Sequence, residues 1–123
     1  MATSLMERVI AQRTTERRVR ALRCALAAIL ALRERGVEAY VIGSLATDRF
    51  MSHSDVDYLV SGHIDPIERC RVETAIARAM AGSSVGYDVV YEDDVKGGLL
   101  EEFHYAKADT SRLLEIAHKV GAA

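Results

Sequence analysis

Three short segments rich in β-branched and aromatic residues constrain the fold of this chain more than any other feature. They read VEAYVI at 37–42, DVDYLV at 55–60 and YDVVY at 87–91, compositions that are typical of half-buried β-strands. Stretches with helical periodicity lie before, between and after them. We therefore predict an α/β (α+β) fold in which a small β-sheet packs against helices, with its core at 37–91.

A long amphipathic helix is predicted before the first strand. Apolar residues recur at steps of three and four between Val19 and Leu32, and arginines occupy the other face. Gly36 stands where a glycine often ends a helix. The pattern predicts an Arg-rich N-terminal helix over 4–35.

Further helices are predicted after the second and third strands. Asp65, Pro66 and Glu68 form a helix start, because a capping acceptor, a first-turn proline and an early acid each stabilise a helix N-terminus. This helix is predicted to end near Met80. Two shorter helices are predicted within 98–120.

Length and composition indicate a single domain over residues 1–123. A chain of 123 residues has the size of one domain, which excludes a second catalytic lobe. Half of the residues are hydrophobic, which is enough apolar surface for a core. The two cysteines give no support to a disulfide framework or a zinc site. The sequence shows no signal-peptide pattern and no apolar run of membrane length, so we expect a soluble, cytoplasmic protein.

Charge is unevenly distributed along the chain. Residues 1–35 hold eight arginines and three glutamates, whereas residues 36–123 are net acidic. The arginines at 13, 17, 18, 20 and 23 are interpreted as a solvated helix face or a docking surface. A net charge of −2 argues against a protein that coats nucleic acid. RNA binding through the Arg-rich helix stays open as the weaker alternative, since the interleaved aromatics of single-strand binders are missing.

The most informative motif joins the first two strands: Gly43-Ser44, ten residues, then Asp55-Val56-Asp57. A glycine after a strand lets the backbone approach a ligand closely, and amides at the start of a helix bind anions such as phosphate. Strand alternation places the side chains of Asp55 and Asp57 on one face. Two like charges side by side favour a shared cation, and Mg2+ prefers oxygen ligands. The motif therefore predicts a phosphate and magnesium site.

A third carboxylate is predicted on the third strand. Asp88 is an acid in an otherwise apolar strand, and it would complete a site for two metal ions, one on a triphosphate and one on the attacking hydroxyl. Glu92, Asp93 and Asp94 are the alternatives nearby, and alternation counts for Glu92, which shares the strand face of Asp88, whereas Asp93 does not. The four histidines lack the spacing of metal ligands.

The segment GSLATDRFMSHSDVDYLV at 43–60 resembles the signature of the DNA polymerase beta-like nucleotidyltransferase superfamily, which is Gly-Ser, ten residues and Asp-x-Asp. A chain of this length is similar to the minimal nucleotidyltransferases of that superfamily, the MNT or MntA-like antitoxins. The resemblance covers residues 37–91 at motif level. It implies the nucleotidyltransferase fold, with a small mixed β-sheet packed against helices. It also implies Mg2+-dependent transfer of a nucleoside monophosphate to a hydroxyl, with ATP as the expected donor.

The resemblance assigns a role to each residue of the motif. Gly43 and Ser44 are expected to bind the β and γ phosphates of the nucleotide. Asp55 and Asp57 are expected to ligate Mg2+. Asp88 matches the third acid, which orients or deprotonates the acceptor hydroxyl, so the three acids form the expected catalytic and metal-binding set.

One position departs from the pattern of the family. Asp48 stands where many relatives have glycine, and we expect an acid there to restrict the loop and to weaken the binding of a triphosphate. Arg49 is expected to offset this effect by donating charge-assisted hydrogen bonds to phosphate.

The partner is implied by the resemblance alone. Proteins of the MNT type accompany HEPN-domain toxins, so the chain is expected to be an antitoxin that AMPylates a partner of that type. Two alternatives stay open. The first is an antitoxin that neutralises its toxin by binding without catalysis, which Asp48 favours. The second is a transferase acting on a small molecule, against which the lack of a second substrate-binding domain counts.

Overall fold

The computed structural model describes residues 4–47 and 49–120 as a mixed α+β fold with a long N-terminal helix. The predicted fold class is confirmed. In chain order the helices and strands are α1 (Leu5–Glu34), β1 (Ala39–Ile42), β2 (Val56–Val60), α2 (Pro66–Met80), β3 (Tyr87–Tyr91), α3 (Gly98–Ala106) and α4 (Thr110–Lys119). Two short 3-10 turns, Gly43–Ala46 and Glu92–Asp94, follow β1 and β3.

The three strands form one mixed sheet in the order β1, β2, β3. β1 and β2 are antiparallel, with Val41 opposite Tyr58, and β2 and β3 are parallel, with Tyr58 opposite Val89. On the outer side of β1, Val41 and Ala108 exchange two backbone hydrogen bonds of 3.0 and 2.7 Å. The segment between α3 and α4 therefore covers that edge of the sheet.

One face of the sheet packs against α1, and both α2 and α4 pack on α1. α2 also reaches this face, where the Tyr58 hydroxyl donates to Met80 Sδ at 3.1 Å. The buried residues of α1 begin at Ala21 and end at Leu32, so the first half of this helix lies outside the core. Each fully buried Leu or Ile on this seam contributes about 1.5–3 kcal/mol, which fastens α1 to the sheet. Although α1 has 30 residues, neither it nor any other helix in the described ranges is apolar enough over a sufficient length to cross a bilayer.

Side-chain caps set the starts of three helices. The capping residues are Ser4, Asp65 and Asp109, and each accepts a hydrogen bond from a first-turn backbone amide. A cap of this kind contributes about 1 kcal/mol. Pro66 occupies the first turn of α2. The helix start predicted at 65–68 is confirmed, and so is the helical character of 98–120.

The bounds of two strands differ from the prediction. The first strand was expected from Val37, but the Val37 amide donates to the Leu32 carbonyl at 2.9 Å and so completes the end of α1. β1 consequently begins at Ala39. β2 begins at Val56, which leaves Asp55 at the entrance to the strand. β3 has the predicted bounds.

The opposite face of the sheet carries the acidic side chains. Strand alternation and register place a mixed set of side chains on it: Tyr40, Ile42, Asp57, Leu59, Asp88 and Val90. α3 flanks this face, since Phe103 lines a cleft with Val90. Lys107, just after α3, holds its Nζ 4.0 Å from the centroid of the Tyr40 ring.

Candidate active site

Asp57 and Asp88 lie directly opposite each other on the parallel strands β2 and β3. Neighbouring strands stand about 4.8 Å apart, so the two carboxylates leave the same face side by side. Asp57 is half-buried and Asp88 is exposed. The register thus brings together two of the three predicted acids.

Gly43 places the main chain against the carboxylate of Asp57. The residue follows β1 with a φ of +75°, a left-handed conformation that favours glycine. A Cβ built on Gly43 would stand 2.5 Å from Asp57 Oδ2, which is too close for any side chain. Ser44 follows in the 3-10 turn and is half-buried. Of the predicted phosphate-binding pair, Gly43 therefore lies against Asp57.

Asp55 lies at the entrance to β2, above a second glycine. A Cβ built on Gly86 would stand 2.7 Å from Asp55 Oδ1. The two backbones meet here, because the Val56 amide donates to the Gly86 carbonyl at 2.9 Å. Arg17 reaches the same carboxylate, with 3.9 Å between its Nη2 and Asp55 Oδ1. Asp55 consequently lies between a glycine and a cation.

The negative charges of the three acids interact. Burial is the main cause that raises the pKa of Asp57 above its ordinary value, and repulsion from Asp88 and then from Asp55 raises this pKa further. Repulsion of this kind is relieved when a cation binds between the carboxylates. The electrostatics of the site therefore suit a cationic ligand.

A cleft with an acidic floor and an apolar wall opens over Asp57 and Asp88. Its volume is about 490 Å3. It is lined by Ile42, Gly43, Asp57, Asp88, Val89, Val90 and Phe103. The wall supplied by Phe103 of α3 gives the cleft an apolar side that a planar or aliphatic group can contact, next to charged oxygens that can bind a cation.

The acids that follow β3 are engaged elsewhere. Oε2 of Glu92 lies 3.5 Å from Nε2 of His104, and Asp93 contacts His63. Asp94 accepts two hydrogen bonds from the guanidinium of one arginine, at 2.7 and 3.2 Å. Asp88 is the acid that pairs with Asp57 across the strands, which favours it over Glu92 as the third carboxylate.

Some predicted site residues lie outside this cleft. The described residues that line it do not include Ser44, Asp55 or Arg49, and Arg49 is exposed in the loop before β2. The prediction for Asp48 falls outside the described residues. Within 4–47 and 49–120, no three His, Cys, Asp or Glu side chains form a group that could hold a metal ion as they stand.

The interpretation of the α1 arginines as a solvated face is corrected by the structure, because two of them turn towards the protein body. The side chain of Arg17 is only 17% exposed, and Arg17 and Arg20 donate to backbone carbonyls of the protein body. Phe103 and Gly86 were not predicted from the sequence. A glycine directly before a strand that contains a candidate acid was the available signal for Gly86, whereas the position of Phe103 depends on where α3 packs.

Comparisons of the chain with protein-family models, with curated proteins and with solved structures found no match. The resemblance to the nucleotidyltransferase superfamily therefore rests on the motif at 43–60 and remains a proposal. The contact of Gly43 with Asp57, and the pairing of Asp57 with Asp88, are the structural observations that bear on it.

Proposed function

We propose that this protein is a Mg2+-dependent nucleotidyltransferase that transfers a nucleoside monophosphate, AMP from ATP, to a hydroxyl of a partner protein and releases pyrophosphate. The observation that carries the proposal is the pairing of Asp57 with Asp88 beside the main chain of Gly43. One end of the sheet brings together carboxylate oxygens, a backbone turn that a ligand can approach closely, and an adjoining cleft. This combination supports phosphoryl-type chemistry, which depends on positioning and on charge neutralisation.

The chemistry of the donor oxygens suits magnesium, although the three acids of the described ranges would have to draw closer together to hold one ion as a group. Asp55, Asp57 and Asp88 offer carboxylate oxygens, which are hard ligands that Mg2+ accepts together with water and substrate phosphates. The raised pKa of Asp57 reports the repulsion that a cation would relieve. Bound there, Mg2+ would neutralise the triphosphate and increase the acidity of the acceptor hydroxyl.

The remaining groups of the site bind and orient the substrates. Gly43 presents its main chain beside Asp57 without an intervening side chain, Ser44 follows in the same turn, and we assign the phosphates of the donor to this turn. Asp88 is exposed, so it is accessible to an incoming hydroxyl and can accept its proton. Phe103 lines the apolar wall of the cleft.

The proposed acceptor is a HEPN-type toxin, for which this chain is the cytoplasmic antitoxin. Exposed apolar side chains support a protein partner. Six of them lie on the first half of α1, on α3 and on α4: Leu5, Met6, Ile10, Leu99, Tyr105 and Leu114. Surfaces of this kind outside the cleft can hold a large acceptor while its hydroxyl enters the site.

The proposal is tested by incubating the chain with each α-labelled nucleoside triphosphate, Mg2+ and the protein encoded next to it. We expect label to be transferred to the partner from ATP, and the transfer to be lost in Asp57→Asn. Glu34→Gln is the matched control, because it removes one negative charge at the C-terminal end of α1, outside the residues that line the cleft. Transfer that persists in Asp57→Asn, or that is absent with every nucleotide, would contradict the proposal.

The non-catalytic alternative makes a different prediction. If the chain neutralises its toxin by binding alone, the double variant Asp55→Asn with Asp57→Asn still protects cells that express the toxin. Catalytic neutralisation predicts loss of protection with the complex still formed. Transfer to a small hydroxyl compound by the isolated chain would favour the third reading, a small-molecule transferase.

A further inference from the structure

Two arginines of α1 donate hydrogen bonds to the turn that precedes β3. Arg17 donates through Nη1 to the carbonyl of Ser84 at 2.8 Å and through Nη2 to the carbonyl of Ser54 at 2.9 Å. Arg20 donates through Nε to the carbonyl of Ser83 at 3.0 Å. The planar guanidinium of Arg17 thus joins two segments that are distant in sequence, a geometry that its fixed fork of donors suits.

Both segments held by Arg17 end at the candidate site. Ser54 directly precedes Asp55, and Ser84 leads to Gly86, over which the Asp55 carboxylate lies. Ser84 has a φ of +61° and is the one non-glycine residue in the described ranges with a positive φ. Such a conformation persists only where the surroundings hold it, and the hydrogen bond from Arg17 is part of those surroundings.

The positive charge of Arg17 also lies close to one of the acids. Its Nη2 lies 3.9 Å from Asp55 Oδ1, and its side chain is mostly buried while that of Asp55 is half exposed. A fixed cation at this distance offsets part of the repulsion among the three carboxylates. It also repels a divalent ion, so its charge and its hydrogen bonds have opposite effects on metal binding.

We propose that Arg17 is a positioning residue, which fixes Asp55 as a Mg2+ ligand by holding the backbone on both sides of that carboxylate. The inference rests on the proposed function. The positioning role and a purely electrostatic role predict opposite changes in the affinity for a divalent ion when Arg17 is removed. Removing only a positive charge beside Asp55 would tighten the binding of a divalent ion, whereas loss of the positioned backbone would weaken it.

The first test measures Mn2+ binding by electron paramagnetic resonance in Arg17→Ala, Arg17→Lys and Arg13→Ala. Arg13 is exposed one turn earlier on α1, so its variant is a matched loss of charge. We expect Arg17→Ala to weaken Mn2+ binding about 10-fold, as changes behind a metal ligand commonly do. Arg17→Lys should recover part of this loss, because one ammonium keeps a donor for one carbonyl. Arg13→Ala should bind Mn2+ as the parent does.

The second test follows hydrogen exchange at the Val56 amide without metal. This amide is bonded to the Gly86 carbonyl, so its exchange reports how firmly the two segments are joined. We expect faster exchange in Arg17→Ala and unchanged exchange in Arg13→Ala. A folded Arg17→Ala with parental exchange at Val56, or with Mn2+ affinity equal to or above that of the parent, overturns the inference.

The two tests separate this inference from the proposed function. If the parent binds no Mn2+, the proposed function fails, and exchange at Val56 still decides whether Arg17 holds the segment. If Arg17→Ala does not fold, Arg17→Lys is used for both measurements. A lysine variant with parental values in both would then overturn the inference, because a single ammonium does not reproduce the two-carbonyl geometry.

Discussion

The carboxylate of Asp57 lies against the main chain of Gly43, so close that a methyl group on residue 43 would stand 2.5 Å from Oδ2. The contact couples the turn after β1 to an acid of β2, and so couples the proposed phosphate site to the proposed metal site. A change at either residue is therefore expected to alter both sites.

Gly43→Ala is expected to reduce both stability and nucleotide binding. Gly62→Ala is the matched control, since Gly62 has a φ of +84° with no atom within 4 Å of its built Cβ. The control should lose about 1 kcal/mol from the left-handed backbone alone. Gly43→Ala should lose a further ~1–3 kcal/mol from overpacking against Asp57. Urea unfolding measures the free energy of unfolding of the two variants, and equal losses of stability would contradict the contact.

Asp57→Asn is expected to stabilise the metal-free protein at neutral pH. Burial and the charges of Asp88 and Asp55 raise the pKa of Asp57 above 3.8, its ordinary value. Between the unfolded and folded pKa values the folded protein keeps a proton that the unfolded chain has released. The free energy of unfolding therefore falls as pH rises through that interval, and the penalty persists above it.

Thermal melts at two pH values check this expectation. At pH 7 the Tm of Asp57→Asn should exceed that of the parent by about 2 °C, the size expected for a few tenths of a kcal/mol in a domain of this length. Below both pKa values, near pH 3, the difference should vanish. Millimolar Mg2+ should raise the Tm of the parent and not that of the variant, because only the parent binds the ion well. A variant that melts lower than the parent at pH 7 would count against repulsion at the site.

Asp88 is expected to be the third catalytic acid, in place of its acidic neighbours. Asp88→Asn should slow transfer at least about 100-fold, the usual effect of removing a general base. Glu92→Gln and Asp93→Asn should stay near the parental rate, since those side chains contact His104 and His63. Initial rates with α-labelled ATP distinguish the three. A loss of similar size in Glu92→Gln would move the assignment to that residue.

Phe103 is expected to contribute to substrate binding through the apolar wall of the cleft. Phe103→Ala should lower kcat/KM about fivefold, in line with the loss of one aromatic contact. Leu100→Ala on the same helix is the control, because Leu100 is half-buried as Phe103 is and lies outside the residues lining the cleft. α3 has no buried residue, so both variants should remain folded. Equal kcat/KM in the two variants would remove Phe103 from the site.

Local signals predicted most of the fold. The start of α2 at Asp65 and Pro66 depends on capping, which acts within one turn, and β3 was predicted in full because its apolar residues are bounded by turn residues. The start of β1 was wrong by two residues because Val37 completes the preceding helix. That choice depends on how α1 ends rather than on the β propensity of Val37.

The candidate site was predictable where it follows from strand geometry. Asp57 was placed on the correct strand by its alternation, and Asp88 was chosen for its polarity among apolar neighbours. Their mutual register is a property of two strands together, which only the structure shows. The inward hydrogen bonds of Arg17, which was interpreted as part of a solvated face or a docking surface, and the position of Phe103 were not predicted. Their contacts join α1 and α3 to distant segments, and no local pattern encodes such packing.

The hydrogen bonds between Val41 and Ala108 have a consequence for solubility. They shield one border of the sheet, while in the described ranges β3 pairs on one side only. A strand with free amides and carbonyls is a template for aggregation, and charged side chains discourage such stacking. Asp88 supplies a charge there, so self-association of Asp88→Asn must be measured by light scattering before a loss of turnover is attributed to chemistry.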